Sequence, residues 1–292
     1  MKTTVIVATH ARPLQLARLL GGLAPELIDE TREIIIADNG TPEPAALPSQ
    51  FRRETRFAHL HDPRPGKCRI QNHAIRQAAG EILVFLDDDL TAAPGYLAAV
   101  EEFFDRHREF AAMKGRILPA EESAAVAGPM AVYLDLPIAD HGGEVVEVKG
   151  VLGANMAFRA EAIEKVGRFD ERLGPGAGGH EEETEMSARL RRFGYKIGYA
   201  PRALVYHEVD PARADRERFI RISRERGRCR MIHERHSAFD VIGKCAIAGI
   251  RLGIARTLNA PLPRIAREER RFAIARGMLD GLRNPLRFER ID

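Results

Sequence analysis

The 292-residue chain has no tryptophan, three cysteines and only 6% aromatic residues. Cys68, Cys229 and Cys245 lie far apart, which suits neither a disulfide framework nor a zinc site. Free thiols in a reducing compartment are expected. Long apolar runs are also missing. The N-terminal MKTTVIVATHARP holds four or five consecutive apolar residues before polar ones. That is too short for a signal peptide, and no window approaches the roughly 20 apolar residues of a membrane span. The net charge of +3 does not argue for nucleic acid, and the arginine-rich stretches carry no aromatic stacking platform. Internal repeats and low-complexity segments are absent. What remains is a cytoplasmic protein for which peripheral contact with the inner face of a membrane stays open.

Hydrophobic residues make up 45%, enough for a sizeable core. Thr4–Ala8, Glu33–Ala37 and Ile82–Leu86 read as buried strands, with a short one near Phe57–Leu60. Leu14–Leu23, Lys67–Ala79 and Pro94–Arg108 read as helices. Residues 41–66 hold five prolines and are expected to wrap the surface. This alternation predicts an α/β fold, with a mainly parallel sheet flanked by helices. Beyond residue 110, strands are expected at Met113–Leu118, Val145–Val151, Tyr195–Tyr199 and Val205–His207. Helices are expected at Glu161–Val166 and Thr184–Phe193, and after about residue 212 the chain reads as helical and basic.

In parallel sheets ligands bind beyond the carboxyl ends of the strands. Three polar clusters fall there: Thr9–Arg12, Asp38–Asn39 and Asp87–Asp89. The last is the most unusual, three carboxylates in a row after an apolar strand. Such a group suits a hard divalent cation that shares its ligands with phosphates; a solvated acidic turn is the plain alternative.

Across residues 3–207 five stretches together resemble the family 2 glycosyltransferases, which have the GT-A fold. They are TVIVATHARP, EIIIADNGTPE, GKCRIQNHAIRQAAGEILVFLDDDL, GANMAFRAEAIEKVGRFDERL and EEETEMSARLRRFGYKIGYAP. Two departures stand out. Ala11 replaces a usual Asn, and Gln71-Asn72 occupies an Arg-Asn position, with Lys67 or Arg69 available to compensate.

The resemblance implies a metal-dependent, inverting transfer of a sugar from a nucleoside-diphosphate sugar to a hydroxyl acceptor. It implies Mn²⁺ or Mg²⁺, with a UDP-sugar first and a GDP-sugar second. The acceptor is a glycan, a lipid-linked species or a small molecule. Thr9, Arg12, Asp38, Asn39, Lys67, Asn72, Asp87 and Asp88 would bind the donor. Asp89, Asp87 and His207 would hold the metal, with the Asp triplet matching the family's DXD motif. Glu183, with Glu182 beside it, matches the general base; Glu181 is one position away. Acids at a helix start also suit the helix dipole. The Gly-rich loop 174–179 follows no strand and turn with a phosphate-binding Lys, and a mobile cover over the acceptor pocket is its expected role.

Residues 1–212 are thus expected to form the catalytic domain, with a nucleotide-sugar half to about 110 and an acceptor half to 212. Residues 213–292 form a basic helical extension. Within it, Val241–Leu258 is apolar and interrupted by Lys244, Arg251 and Arg256. Its small residues and lack of Trp favour packing against protein or a homodimer partner over a membrane surface. Two other functions compete. A nucleotidyltransferase would want a Gly-rich loop after the first strand, where ATHARP has none. A catalytically inactive nucleotide-sugar-binding subunit would not need intact Asp87, Asp89 and Glu183.

Overall fold

A computed structural model describes residues 2–40, 43–45, 56–120, 127–208 and 210–284. Residues 41–42 and 46–55 of the proline-rich stretch lie outside these residues. The chain divides into two compact units.

The first unit comprises Met1–Ala120, Pro137–Glu171 and Glu182–Glu208. Its described residues contain a nine-stranded sheet. The strands are β1 (Thr3–Thr9), β2 (Arg32–Asp38), β3 (Phe57–His61), β4 (Ile82–Asp87), β5 (Leu90–Ala92), β6 (Phe110–Pro119), β7 (Val146–Glu147), β8 (Asn155–Arg159) and β9 (Lys196–His207). Their order is β3-β2-β1-β4-β8-β6-β9-β5, with β7 on β9. The first four are mutually parallel. β8 runs against both β4 and β6, and β9 runs with β6. Six strands therefore share one direction, while β5, β7 and β8 oppose it.

Helices α1 (Pro13–Leu23), α2 (Lys67–Gln77), α3 (Tyr96–Arg106), α4 (Ala160–Val166) and α5 (Glu182–Arg192) cover the sheet. The central strands carry unbroken apolar runs, Val5–Ala8, Ile34–Ala37 and Ile82–Leu86, because both faces are covered. Val5, Val7, Ile34, Ile36, Val84 and Leu86 enter one core with the buried leucines of α1 and with Leu97, Val100 and Phe104 of α3. Their neighbours Ile6, Ile35, Leu83 and Phe85 enter the other with Ile70 and Ala74 of α2, Ile163 of α4, and Met186 and Leu190 of α5.

The two strands expected at Tyr195–Tyr199 and Val205–His207 are one. In its pairing with β6, β9 steps from Ala200 opposite Gly115 to Leu204 opposite Arg116. The bulge contains Pro201, which cannot donate to the ladder. β7 covers only Val146–Glu147 of the strand expected over Val145–Val151. β8 was not among the strands expected from the sequence. Asn155, fully buried, accepts from Tyr96 Oη at 2.7 Å and donates to the carbonyls of Arg116 and Ala203 at 3.1 and 3.0 Å. It thereby ties the middle of the sheet together.

The second unit draws on Glu121–Leu136, Arg172–Glu181 and Val209–Asp292, so far as these are described. It is built on α6 (Arg216–His233), α7 (Ala238–Thr257) and α8 (Leu262–Arg283). In this division the C-terminal helices follow Glu208, the last residue of the first unit, and two upstream segments join them. Their attachments explain why. Tyr133 packs edge-on against Phe219, Asp135 takes a forked pair from Arg226, and the thiol of Cys229 donates to Gly178 O at 2.8 Å. α6 and α8 pack backbone to backbone. A Cβ on Gly227 would strike Ile274 O, and one on Gly277 would strike Arg224 O.

Candidate active site

The carboxyl ends of β1, β2 and β4 bring the expected polar clusters together. Asp38 closes β2 and is fully buried. It accepts from the backbone N–H of Gly40 at 2.8 Å and of Ala45 at 2.6 Å, and contacts His59 Nε2 at 3.0 Å. Burial pushes its pKa up, but the bonds from His59, Ala45 and Gly40 outweigh it and hold the carboxyl below its ordinary value. Asn39 N donates to Thr9 O at 3.1 Å, and His10 Nδ1 reaches Asn39 O at 2.8 Å.

The positive partner that three adjacent acids call for is supplied by two residues. Thr9 Oγ1 donates to Asp88 at 2.7 Å, and Arg12 Nη1 lies 3.1 Å from both Asp88 and Asp89. Ala11, at φ 53°, sets the turn that returns Arg12 toward these acids. Burial raises the Asp88 pKa, against the pull of Thr9 and Arg12. Asp87 meets Lys67, whose Nζ is 2.5 Å away; the same Nζ is 3.9 Å from Glu182. Burial works against charge on Lys67, but Asp87 and Glu182 prevail and raise its pKa.

His207 ends β9, opposite Leu90. Its Nδ1 is 2.5 Å from the Glu208 carbonyl, which can only accept, so Nδ1 carries the proton. Nε2 is thereby turned to Asp89 Oδ1, 3.4 Å away. The carboxylate of this pair offers an oxygen donor that suits Mn²⁺ or Mg²⁺, and the imidazole a nitrogen donor that favours Mn²⁺ of the two. The described residues hold no group of three or more His, Cys, Asp or Glu arranged for a metal. A cation here would therefore need ligands from its substrate, a usual arrangement for Mg²⁺ with diphosphates.

The three acids at the start of α5 diverge. Glu181 precedes the helix at φ 77° and turns to Arg230 and His233, at 3.4 and 3.7 Å, within the second unit. Glu182 is buried beside Lys67; burial raises its pKa and Lys67 partly offsets the rise. Glu183 is half-buried, and its carboxyl carbon is 3.8 Å from where a Cβ on Gly153 would lie. Lys114, on β6, faces the charge of Glu183, while burial lowers its pKa. Sequence reasoning missed Lys114; the only signal was a lysine in the mostly apolar run FAAMKGRIL, which also holds Arg116.

Two other residues have structural partners. Asn72 donates to Phe169 O at 2.9 Å and Glu171 Oε1 at 3.0 Å, and accepts from Phe169 N at 3.0 Å. Gln71, where the resemblance would place Arg, is buried with neither amide atom hydrogen-bonded among the described residues. The Gly-rich loop is tied within its own unit, with Gly178 N on Arg172 O and Gly179 N on Gly174 O.

The family model described as Glycosyl transferase family 2 matches residues 4–167. The chain belongs to this family. It is 28% identical to the succinoglycan biosynthesis protein ExoM of Rhizobium meliloti, over 94% of this chain and 91% of that one. A glucosyl-dolichyl phosphate glucuronosyltransferase of Haloferax volcanii is 19% identical over 72% and 70%. Among solved structures, the mannosyltransferase PcManGT of Pyrobaculum calidifontis, in complex with GDP-Man and Mn²⁺, aligns at TM-score 0.62 and 17% identity. That alignment covers 97% of this chain and 88% of that one. The TarS fragment of S. aureus with UDP aligns at 0.55 and 16% identity, over 100% and 94%. These likenesses establish the glycosyltransferase α/β fold, with its central sheet and helical C-terminal part.

Proposed function

We propose that this family 2 glycosyltransferase is metal-dependent and inverting. It moves a sugar from a nucleoside-diphosphate donor, a UDP-sugar first and a GDP-sugar second, to a hydroxyl of a growing glycan. The observation that carries the reading is Lys67, which contacts Asp87 on one side and Glu182 on the other. It links the acidic strand end to the start of α5, so donor-binding and base residues belong to one site. The succinoglycan relative and the neighbours with UDP or GDP-Man and Mn²⁺ support the donor and acceptor classes.

In this reading Asp38, Asn39 and Thr9 receive the nucleoside, with Asp38 held ionised for ribose or base contacts. Asp87 borders the ribose and the metal. Asp89 and His207 would hold Mn²⁺ or Mg²⁺, which when bound neutralises charge on the departing diphosphate. Arg12 and Lys67 keep the acids paired before donor arrives. Glu183 takes the acceptor proton as its oxygen attacks the anomeric carbon. Glu182, held by Lys67, positions the start of α5, and Lys114 stabilises the charge of Glu183.

The test is a thermal-shift panel of UDP-, GDP- and dTDP-sugars with and without Mn²⁺. One class should stabilise the protein, and more so with Mn²⁺. No stabilisation by any of them, with no slow hydrolysis, would overturn the donor assignment.

A further inference from the structure

Helix α7 has two apolar faces. Val241, Ala248, Leu252 and Ala255 are buried within the helical unit. On the opposite side Phe239, Ile242, Ile247, Ile250 and Ile254 point outward and are exposed, Phe239 at 89% and Ile250 at 63%. Leu258, at the end of the helix, is exposed at 71%. At 1.5 Å per residue this stripe is about 28 Å long. Scattered exposed hydrophobes are ordinary, but a continuous stripe marks a contact surface.

The charges around it identify the occupant. From Ala238 to Arg271 the acids are Asp240, Glu268 and Glu269. The last two are buried, and Asp240 accepts from Lys244 at 2.8 Å. Lys244, Arg251, Arg264 and Arg267 are exposed. The surface is thus apolar, flanked by cations and nearly free of exposed acid. Two copies laid face to face would bring cation to cation. An anionic lipid surface complements both the charge and the stripe. None of the described helices is long and apolar enough to cross a membrane, so the contact would be in-plane.

We infer that α7 lies in the interface of an anionic membrane, its Phe239–Leu258 stripe among the acyl chains and its flanking Lys and Arg at the headgroups. This places the enzyme where a lipid-linked acceptor would be presented. The docking itself does not depend on the reaction proposed above, and donor binding measured on the same samples keeps the two failures apart.

The test is flotation of the full chain with phosphatidylcholine vesicles, with and without phosphatidylglycerol, at low and high salt. Wild type should float only with the anionic vesicles, and less at high salt. Ile247→Glu/Ile250→Glu should lose roughly tenfold or more of this partitioning and keep the donor-induced thermal shift. Absence of flotation with anionic vesicles overturns the inference. So does a dimer, seen by light scattering, that Ile250→Glu splits while vesicle binding is absent.

Discussion

In the sheet unit, acids collect at strand ends and are met by two half-buried cations: Arg12 on Asp88 and Asp89, Lys67 on Asp87 and Glu182. In the helical unit the imbalance is reversed. Arg216 and Arg256 converge on Glu269, and Arg226 and Arg270 on Asp135. A buried cluster with excess negative charge is poised to accept a cationic group or to move a proton. The arginine-rich clusters hold two cations per acid, and further cations, Lys244 and Arg251, flank the apolar stripe. The difference separates chemistry from attachment, and substitutions in each region should have different consequences.

The largest of these effects falls on catalysis. Asp89→Ala and His207→Ala should each lower Mn²⁺-dependent turnover by roughly 10²–10³-fold, with vesicle binding unchanged. Turnover against Mn²⁺ concentration, with flotation of the same variants, checks both halves. Lys67→Met comes next. It strands Asp87 and Glu182 and should cost about 3 kcal/mol in urea unfolding. Adding Glu182→Gln should restore part of it.

Gly227→Ala or Gly277→Ala should cost about 2 kcal/mol, because the new methyl meets backbone across the α6–α8 contact. Hydrogen exchange should show faster opening of α6 and α8, with protection of β1 and β4 retained. The smallest effect is on pH. Burial, with Arg226 nearby, pushes the His180 pKa down to about 4. Between that value and about 6.5 the unfolded chain holds more protons at this site, so stability falls with acid and is regained by pH 7. Tm should drop from pH 7 to pH 5, and His180→Asn should remove about 2–4 °C of that drop.

The β1, β2 and β4 strands were legible because helices on both faces demand an unbroken apolar run, as in VIVA, IIIA and ILVFL. The strand-end clusters followed from the same alternation. β8 was hidden because NMAFR is short and its pairing is antiparallel to strands far away in sequence. Lys67 could be named, but its double contact could not, since Asp87 and Glu182 lie 20 and 115 residues away. Asn72 could be placed at a donor-binding position by its motif, but its hydrogen bonds to Phe169 and Glu171, about a hundred residues away, could not be read from the sequence. α7 was ambiguous for a physical reason. With apolar residues on both faces, periodicity cannot distinguish the packed side from the exposed one.

The central claim is that Glu183 removes the acceptor proton in a site that binds a nucleotide sugar. Comparing Glu183→Gln with wild type for both donor affinity and turnover tests it most directly. Turnover should fall by roughly 10²–10⁴-fold, while the donor dissociation constant stays within about twofold, because glutamine keeps the size and loses only the base. Turnover that survives the substitution would contradict the assignment of the base. Loss of donor binding together with turnover would move Glu183 from proton transfer to substrate binding.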